Sequence, residues 1–355
     1  MSRPPIPAPT ASPWWDRDRH AGRRPLLLAR NRIRRAIGDW LEADGFLDVD
    51  PAALAISPGN EAHLHAFETR QIGNDGSARA MYLHTSPEFA MKKLLAAGEE
   101  RIFTFAHVWR NREHTRTHSP EFTMLEWYRA GADYRVLFDD CAAFMRLAAE
   151  AAGAEVFRSG GATCDPYAAP EIMSVAEGFA EYAGIDLLAT TDGIVTDAPA
   201  LRAQIEAKGI RLSDDDTWSD MVSRVLVEKV EPHLGHTRPL ILDRYPAPEA
   251  ALARRAADDP REAERFELYA CGVELANGFG ELTDPVEQRR RFGLEMDEKA
   301  RVYGERYPLD EDFLAALAHM PPASGCALGF DRLVMLATGA PRINEVLWTP
   351  VADYP

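Results

Sequence analysis

The sequence predicts an α+β fold in which antiparallel strands are flanked by helices. Phe103 and Phe105 lead into one alternating segment, residues 122–128 form a second, and a polar loop joins the two as in a hairpin. Apolar residues recur at helical spacing before and after this hairpin, in residues 26–43 and 292–303. The 355 residues are enough for a sizeable core in one large domain or two small ones.

The composition is that of an ordinary soluble protein, with 46% hydrophobic and 27% charged residues. No run approaches the roughly 18 apolar residues of a membrane-spanning helix. The four cysteines are scattered without a CxxC pair, which favours free thiols in a reducing cytoplasm over a zinc site. The net charge of −16 disfavours binding to bulk tRNA, and the basic cluster Arg23–Arg35 is expected to be a solvated helix face.

The chain is expected to begin with a disordered or variable leader, residues 1–25, because residues 1–13 are rich in Pro and Ala. The following helix, residues 26–43, should end before Gly45. A single domain from residue 26 to residue 355 is expected to follow the leader.

Two short patterns precede the hairpin. His63 and His65 could suggest a metal pair, but no third ligand is near in sequence, so a plain strand is preferred. Thr85 or Ser86 is well placed to cap a helix that begins near Pro87.

The second half of the chain is expected to be mainly helical from residue 133 to residue 245. Residues 221–230 carry an apolar stripe, and the acidic run Asp214–Asp216 should be a capped, solvated helix start. Residues 247–265 are rich in Ala and charge, which suggests a mobile loop or an exposed helix. Phe292, Met296 and Tyr303 predict an amphipathic helix.

One face of the second hairpin strand carries the most chemical information. Phe122, Met124, Glu126 and Tyr128 share this face, and Arg110 enters from the neighbouring strand. An aromatic ring, a carboxylate and an arginine suit a nucleotide base, a cationic group and a phosphate. A half-buried hairpin with ordinary surface charges is the alternative on this pattern alone.

Four segments resemble class II aminoacyl-tRNA synthetases of the lysine-activating branch. Residues 109–113 and 118–128 are similar to motif 2, and residues 272–282 to the segment with metal and amino-acid ligands. Residues 327–336 are similar to motif 3, and the resemblance extends roughly over residues 25–350.

The resemblance implies the class II catalytic architecture, an antiparallel sheet flanked by helices, without an anticodon-binding domain. Residues 46–54 match the position of motif 1, which implies a homodimer. The match is imperfect, because Pro51 directly follows Asp50 and stands one place early.

The resemblance also implies activation of an amino acid with ATP and Mg²⁺. Arg110 would bind the α-phosphate and Arg332, in the first turn of a helix, the γ-phosphate end; these two are the expected catalytic residues. Phe122 would stack on adenine, and Gly329 would let the backbone approach the nucleotide. Glu274 and Glu281 would hold the metal. The implied ATP-binding residues are Arg110, Asn111, Arg112, Ser119, Phe122, Glu274, Leu275, Gly329 and Arg332.

Lysine recognition needs anions at fixed distances from the carboxyl end of the amino acid. Glu126, Tyr128 and Glu281 would surround the distal ammonium, and Glu88 the nearer amine. A shorter or uncharged amino acid would leave these acids desolvated and unpaired. The implied substrate-binding residues are Ser86, Pro87, Glu88, Glu126, Tyr128, Glu281 and Ala327.

Two positions depart from the pattern of the family. Arg112 stands where the family has a glutamate that contacts adenine, and Ser119 stands where it has asparagine. Glu113, the next residue, could substitute for the missing glutamate after a small shift of the loop.

Within the lysine branch, a truncated group of ligases is most similar to the chain. These enzymes attach (R)-β-lysine to a lysine side chain of elongation factor P. Ser86 and Ala327 stand at two pocket positions and are similar to the residues that these ligases have there. The implied reaction is adenylation of lysine or (R)-β-lysine and transfer to elongation factor P. A stand-alone enzyme that charges tRNA, an amide synthetase and a non-catalytic regulatory paralogue remain as alternatives.

Overall fold

An eight-stranded mixed sheet is the centre of the structure, a computed structural model that describes residues 13–351. The described strands are β1 (Leu47–Asp48), β2 (Leu54–Ala55), β3 (Phe67–Ile72), β4 (Ala78–Leu83), β5 (Arg101–Trp109), β6 (Glu121–Ala130), β7 (Phe157–Ser159), β8 (Ala162–Cys164), β9 (Glu171–Ser174), β10 (Leu240–Asp243), β11 (Arg265–Ala270), β12 (Val273–Gly280) and β13 (Ala323–Gly329). The strand order of the large sheet is β1-β5-β6-β13-β12-β11-β10-β9. Its inner pairs are antiparallel and its outer pairs, β1 with β5 and β9 with β10, are parallel. The predicted α+β class is confirmed, with a parallel pair added at each edge.

Helices pack against this sheet. They are α1 (Arg17–Ala43), α2 (Glu88–Ala96), α3 (Val136–Ala152), α4 (Val175–Gly178), α5 (Ala198–Ala207), α6 (Trp218–Val225), α7 (Pro285–Tyr303), α8 (Glu311–Leu317) and α9 (Phe330–Thr338). Within residues 13–351, none of them is both long enough and apolar enough to cross a membrane.

The alternation of β6 separates the core from the face that carries the chemistry. Leu125 and Trp127 point into the main core, where they pack with residues of α1, α3 and α9. Met124, Glu126 and Tyr128 point to the opposite side, as the period of two in the sequence predicts. The hairpin formed by β5 and β6 is therefore confirmed, with Trp109 paired to Glu121 where the connecting loop begins and ends.

The first helix begins earlier than predicted, at Arg17 instead of residue 26, because the Asp16 side chain caps it by accepting the backbone N–H groups of Asp18 and Arg19. Residues 1–12 of the expected leader lie outside the described residues. The basic face is solvated only in part. Arg30 is buried, pairs with Asp331 and donates to the Thr123 hydroxyl at 2.7 Å.

Of the two local predictions before the hairpin, the first is wrong and the second is confirmed. His63 lies in a turn and His65 forms an isolated bridge with Asn111, whereas the strand begins at Phe67. The second helix begins at Glu88 as predicted, and Ser86 Oγ accepts its backbone N–H at 3.1 Å. Thr85 instead donates its hydroxyl to the Pro58 carbonyl.

Two predictions in the second half are also wrong. Thr217, not the acidic run, caps α6 through a capping box with Asp220. Residues 247–265 do not form an exposed helix, and most of their alanines are buried; Ala250, Ala253 and Ala263 are at most 1% exposed. The apolar stripe in residues 221–230 and the amphipathic helix with Phe292 and Met296 are confirmed.

Candidate active site

Glu126 is the centre of a buried acidic cluster, which consists of Ser86, Glu88, Lys92, Glu126, Tyr128 and Glu281. Glu126 is 1% exposed. Its two carboxylate oxygens accept the Ser86 hydroxyl and the Tyr128 hydroxyl, each at 2.6 Å. Because Ser86 lies at the start of α2 and Tyr128 on β6, the carboxylate is fixed from two elements.

Lys92 joins the other two acids of the cluster. Its Nζ lies 2.5 Å from Glu88 Oε1 and 2.6 Å from Glu281 Oε2, and both Lys92 and Glu281 are almost fully buried. Glu281 Oε1 has no hydrogen-bond partner among the described residues. Three carboxylates against one ammonium leave the cluster short of positive charge, so a cationic guest would stabilise it.

The pKa values of the cluster carry the same information. Burial, together with the charge of Glu88, raises the pKa of Glu126 to about 8. Burial also raises the pKa of Glu281, although the ammonium of Lys92 opposes the shift. These carboxylates are therefore costly to ionise in the protein alone, and an arriving ammonium would lower the cost.

Gly325 on β13 lets the cluster close. A Cβ atom at this position would lie 2.3 Å from carbons of the Tyr128 ring and 2.6 Å from Glu281 Oε1. Such distances are far below van der Waals contact, so any side chain would push Tyr128 or Glu281 away. Tyr128 is paired with Gly325 in the β6–β13 register, which explains the close approach.

Two arginines lie on the other side of the same space. Arg110 follows β5, holds the Thr85 carbonyl at 3.3 Å and lies over the Phe122 ring at 5.5 Å. Arg332 lies in the first turn of α9, as predicted, and donates to the Glu274 carbonyl at 2.9 Å.

His118 orients Arg332. Its Nε2 accepts from the guanidinium at 2.6 Å, so its Nδ1 carries the proton and donates to the Thr115 hydroxyl at 2.8 Å. Burial and the charges of Arg332 and Arg110 lower the pKa of His118 to about 4. The neutral imidazole therefore orients Arg332 without compensating its positive charge, and the nearest carboxylate, that of Glu274, lies 3.6 Å from the guanidinium.

A cavity of about 410 Å³ connects the acidic cluster with the arginines. Its volume is within the range of small-molecule sites, roughly 300–1,000 Å³. The predicted residues on its wall are Ser86, Glu88, Arg110, Phe122, Glu274, Leu275, Ala327, Gly329 and Arg332. Glu126, Tyr128 and Glu281 lie directly behind Ser86 and Glu88, and Pro87 lines a smaller space beside them.

A narrow crevice of about 10 Å³ continues from the cavity beside Phe122. Ser119, Gly329 and Arg332 line it, and Glu113 does so too. Ser119 and Glu113 therefore both lie where the aromatic face of Phe122 is accessible. This position of Glu113 agrees with the hypothesis that Glu113 replaces the glutamate that the family has at position 112.

Asn111 and Arg112 are turned away from both spaces. Arg112 adopts a φ of 67°, pairs with Glu305 at 2.6 Å and lies over the Tyr303 ring. The Asn111 side chain accepts the Arg112 backbone N–H. Their side chains lie outside the described lining of cavity and crevice, so the geometry gives no support to the predicted contacts with ATP.

Glu274 and Glu281 do not face one common ion. They lie near opposite ends of β12, and a strand rises by about 3.3 Å per residue, so their seven-residue separation spans roughly 23 Å. Glu281 is bound to Lys92, whereas Glu274 faces the cavity with Glu267 as its neighbour. The predicted shared metal site is therefore corrected. Within residues 13–351, His, Cys, Asp and Glu form no cluster of three that suits a metal.

The sequence of the chain matches known proteins over nearly its full length. A family model described as tRNA synthetases class II (D, K and N) matches residues 11–352. The chain belongs to this family. The family resemblance of the motifs is thereby confirmed.

Relatives with a specific name are similar over the same length. The chain is 37% identical over 324 residues to the elongation factor P–(R)-β-lysine ligase of Edwardsiella ictaluri (strain 93-146), covering 90% of this chain and 93% of the relative. It is 40% identical over 324 residues to the ligase of that name from Sodalis glossinidius (strain morsitans), with 90% and 93% covered. For the relative of that name from Klebsiella pneumoniae (strain 342) the identity is 37% over 325 residues, with 91% and 94% covered.

Three residues of this class II site were not identified from the sequence. Lys92 stands four places after Glu88 on a helix, which is the spacing of an ion pair, but the second partner, Glu281, is remote in sequence. His118 and Gly325 carried no local signal, because their roles depend on Arg332 and on the β6–β13 register.

Proposed function

We propose that the protein activates lysine or (R)-β-lysine with ATP and transfers it to a lysine side chain of elongation factor P. The observation that carries the proposal is the juxtaposition of a buried, cation-deficient acidic cluster and two arginines at one cavity. A diamino acid supplies the missing cation, and its carboxylate can then approach a triphosphate held by the arginines. The names of the relatives supply the donor and the acceptor protein.

In the first step, the carboxylate of the donor attacks the α-phosphate of ATP and expels pyrophosphate. Arg110 binds the α-phosphate and Arg332 the γ-phosphate end, because negative charge on these groups needs fixed cations. His118 holds Arg332 in place without neutralising it. The distal ammonium of the donor binds beside Glu126, Tyr128 and Glu281.

Adenine stacks on Phe122 and extends towards the crevice with Ser119 and Glu113. Glu274, on the cavity wall near Arg332, would hold a Mg²⁺ ion, and Glu267 is a further carboxylate on the same wall. The ion would supply charge neutralisation for the phosphates.

In the second step, the ε-amine of the acceptor lysine attacks the activated carbonyl. The C–N amide bond forms, AMP leaves and the amine loses its proton. A mixed anhydride is already reactive, so this step depends mainly on the position and deprotonation of the acceptor amine.

The test is the intact mass of elongation factor P after incubation with the protein, ATP and either lysine or (R)-β-lysine. We expect the factor to gain the mass of one lysyl residue, with the larger yield identifying the donor. The Arg332→Ala variant should give no gain. Lysine attached to bulk tRNA, with an unchanged factor, would instead support the stand-alone synthetase.

We also propose that the protein works as a cytoplasmic homodimer. The four cysteines are free and buried, which suits a reducing compartment. Leu47 on the edge strand β1, Leu54 on β2 and Ile56 just after β2 expose 53%, 43% and 37% of their surface, which suits a contact with a second copy. Light scattering should give twice the monomer mass, and Leu47→Asp should shift it towards the monomer, whereas Val286→Asp, on α7, should not.

A further inference from the structure

The loop with Glu61 is fixed on both sides of this residue. The Asn60 side chain donates to the Pro308 carbonyl at 3.3 Å, and the Ala62 backbone N–H donates to Glu295 at 2.9 Å. The buried Lys299 donates to the carbonyls of Ala62 and Leu64 at 3.0 and 2.7 Å. The backbone around Glu61 is therefore held in one position, and its side chain lines the cavity.

Glu61 differs from the other glutamates on the cavity wall. The six others are Glu88, Glu249, Glu267, Glu274, Glu295 and Glu298. All six have a side-chain or backbone partner: Lys92, Ser219, Arg265, Arg332, the Ala62 N–H and Arg301, in that order. Among the contacts of residues 13–351, Glu61 has neither a hydrogen bond nor an ion pair. A fixed carboxylate without a partner is costly unless a ligand supplies one.

The charges around Glu61 define what this ligand group is. Burial raises the pKa of Glu61 to about 7, the charge of Glu88 adds to the shift and the charge of Arg110 opposes it. Glu61 therefore lies where the acidic cluster and the arginines meet. Glu61 and Glu88 both carry a carboxylate here, and Glu88 already binds Lys92 with one oxygen. One further cation between them would therefore be stabilised.

We propose that Glu61 binds the amino group nearest the carboxyl group of the donor, here called the proximal amine, and so selects diamino acids. This inference rests on the proposed function and deepens it. Glu126, Tyr128 and Glu281 of the acidic cluster bind the distal ammonium, and Glu61, together with Glu88 at the edge of that cluster, binds the proximal one. A donor that lacks the proximal amine leaves Glu61 desolvated and unpaired, which is a strong form of discrimination.

The test compares two ligands that differ in the proximal amine. Lysine or (R)-β-lysine is the substrate in ATP–pyrophosphate exchange, and 6-aminohexanoate, which retains the distal amine and the carboxylate, is the competitive inhibitor. For Glu61→Gln we expect the KM of the diamino acid to rise roughly 10- to 100-fold, the effect of one lost charge-assisted hydrogen bond. The Ki of 6-aminohexanoate should stay within about three-fold, because this ligand makes no contact that Glu61 provides.

The control variant is Glu298→Gln. It removes the same charge from the wall of the same cavity, but Glu298 pairs outward with Arg301 at 2.5 Å, so both constants should stay within about two-fold. Glu61→Asp should recover part of the lost affinity, since it keeps the charge on a shorter side chain.

Three outcomes would overturn the assignment of Glu61. An equal rise of the KM and the Ki would mean that Glu61 only shapes the cavity. Unchanged exchange with slower transfer to elongation factor P would mean that it acts on the acceptor amine. If neither diamino acid supports ATP–pyrophosphate exchange by the wild-type protein, the proposed function is overturned, and with it the contact of Glu61 with the proximal amine.

Discussion

The two ends of the cavity treat charge in opposite ways. At the acidic cluster, Glu126 and Glu281 are 1% and 2% exposed and are held by hydroxyls and by one lysine. At the arginine end, Arg110 and Arg332 are only partly buried and donate to neutral acceptors, namely two backbone carbonyls and the His118 imidazole, while the Glu274 carboxylate lies farther from Arg332, at 3.6 Å.

This difference separates selection from catalysis. Buried acids without enough cations penalise every guest that lacks an ammonium, so they select the amino acid. Arginines that keep their charge are available for phosphate oxygens whichever amino acid is bound. Changes at the acidic cluster should therefore alter the use of the donor, and changes at the arginines should alter the chemical step.

Glu126→Gln should give the largest effect. The amide cannot neutralise an ammonium, and its NH₂ group would face the hydroxyl donors of Ser86 or Tyr128. We expect kcat/KM for the diamino acid in ATP–pyrophosphate exchange to fall roughly 10²- to 10³-fold. The KM for ATP should change by less than about three-fold. A Glu126→Gln variant that loses affinity for ATP instead would contradict the separate roles of the acidic cluster and the arginines.

Arg332→Lys should give the next effect, at the other end. Lysine keeps the charge but loses the fork that binds two oxygens, so kcat should fall about 10- to 100-fold with little change in the KM of the diamino acid. The matched control is Arg112→Lys, since Arg112 pairs with Glu305 outside the cavity. An equal loss in both variants would show that Arg112 reaches ATP.

Gly325→Ala tests the closeness of the acidic cluster. The added methyl group would displace Tyr128 or Glu281, so the KM of the diamino acid should rise about tenfold and the stability should fall by about 1–3 kcal/mol. In Gly293→Ala, within α7, the new Cβ meets no atom within 4 Å, and the stability should rise by about 0.5–1 kcal/mol. Thermal unfolding and exchange kinetics measure both variants. A Gly325→Ala protein with wild-type values would mean that the cluster is looser than the structure indicates.

The pH dependence should be the smallest effect. The pKa of Glu126 is raised to about 8, so the free protein protonates this carboxylate as the pH falls through 8, and ammonium binding must release the proton. The KM of the diamino acid should be about five-fold higher at pH 7 than at pH 8. Glu126→Gln should reduce this dependence to the roughly two-fold contribution of Glu61, whose pKa is raised to about 7, whereas the KM for ATP should not show it in either protein. A KM that falls towards pH 7 would contradict the raised pKa.

The sequence predicted the parts of the site that lie within short segments. The alternation of residues 122–128 placed Glu126 and Tyr128 on one face, and the helix start at Arg332 was found. The sequence did not show that part of residues 247–265 forms the cavity wall, because the buried alanines of this segment pack against Phe279 of β12, which no local pattern indicates. Glu274 and Glu281 were both assigned to the metal from the family resemblance, which does not contain the length of the strand between them.

By itself, the sequence determined the class of fold, the membership of the class II family and nine of the residues on the cavity wall, because strand alternation, helix caps and motifs act over a few residues. The tertiary structure decided which charges are compensated. Whether Lys92 neutralises Glu281, whether Arg112 faces ATP or Glu305, and whether Glu61 has a partner depend on elements far apart in the chain. Charge compensation depends on distances of a few ångströms in three dimensions, and a local pattern does not contain them.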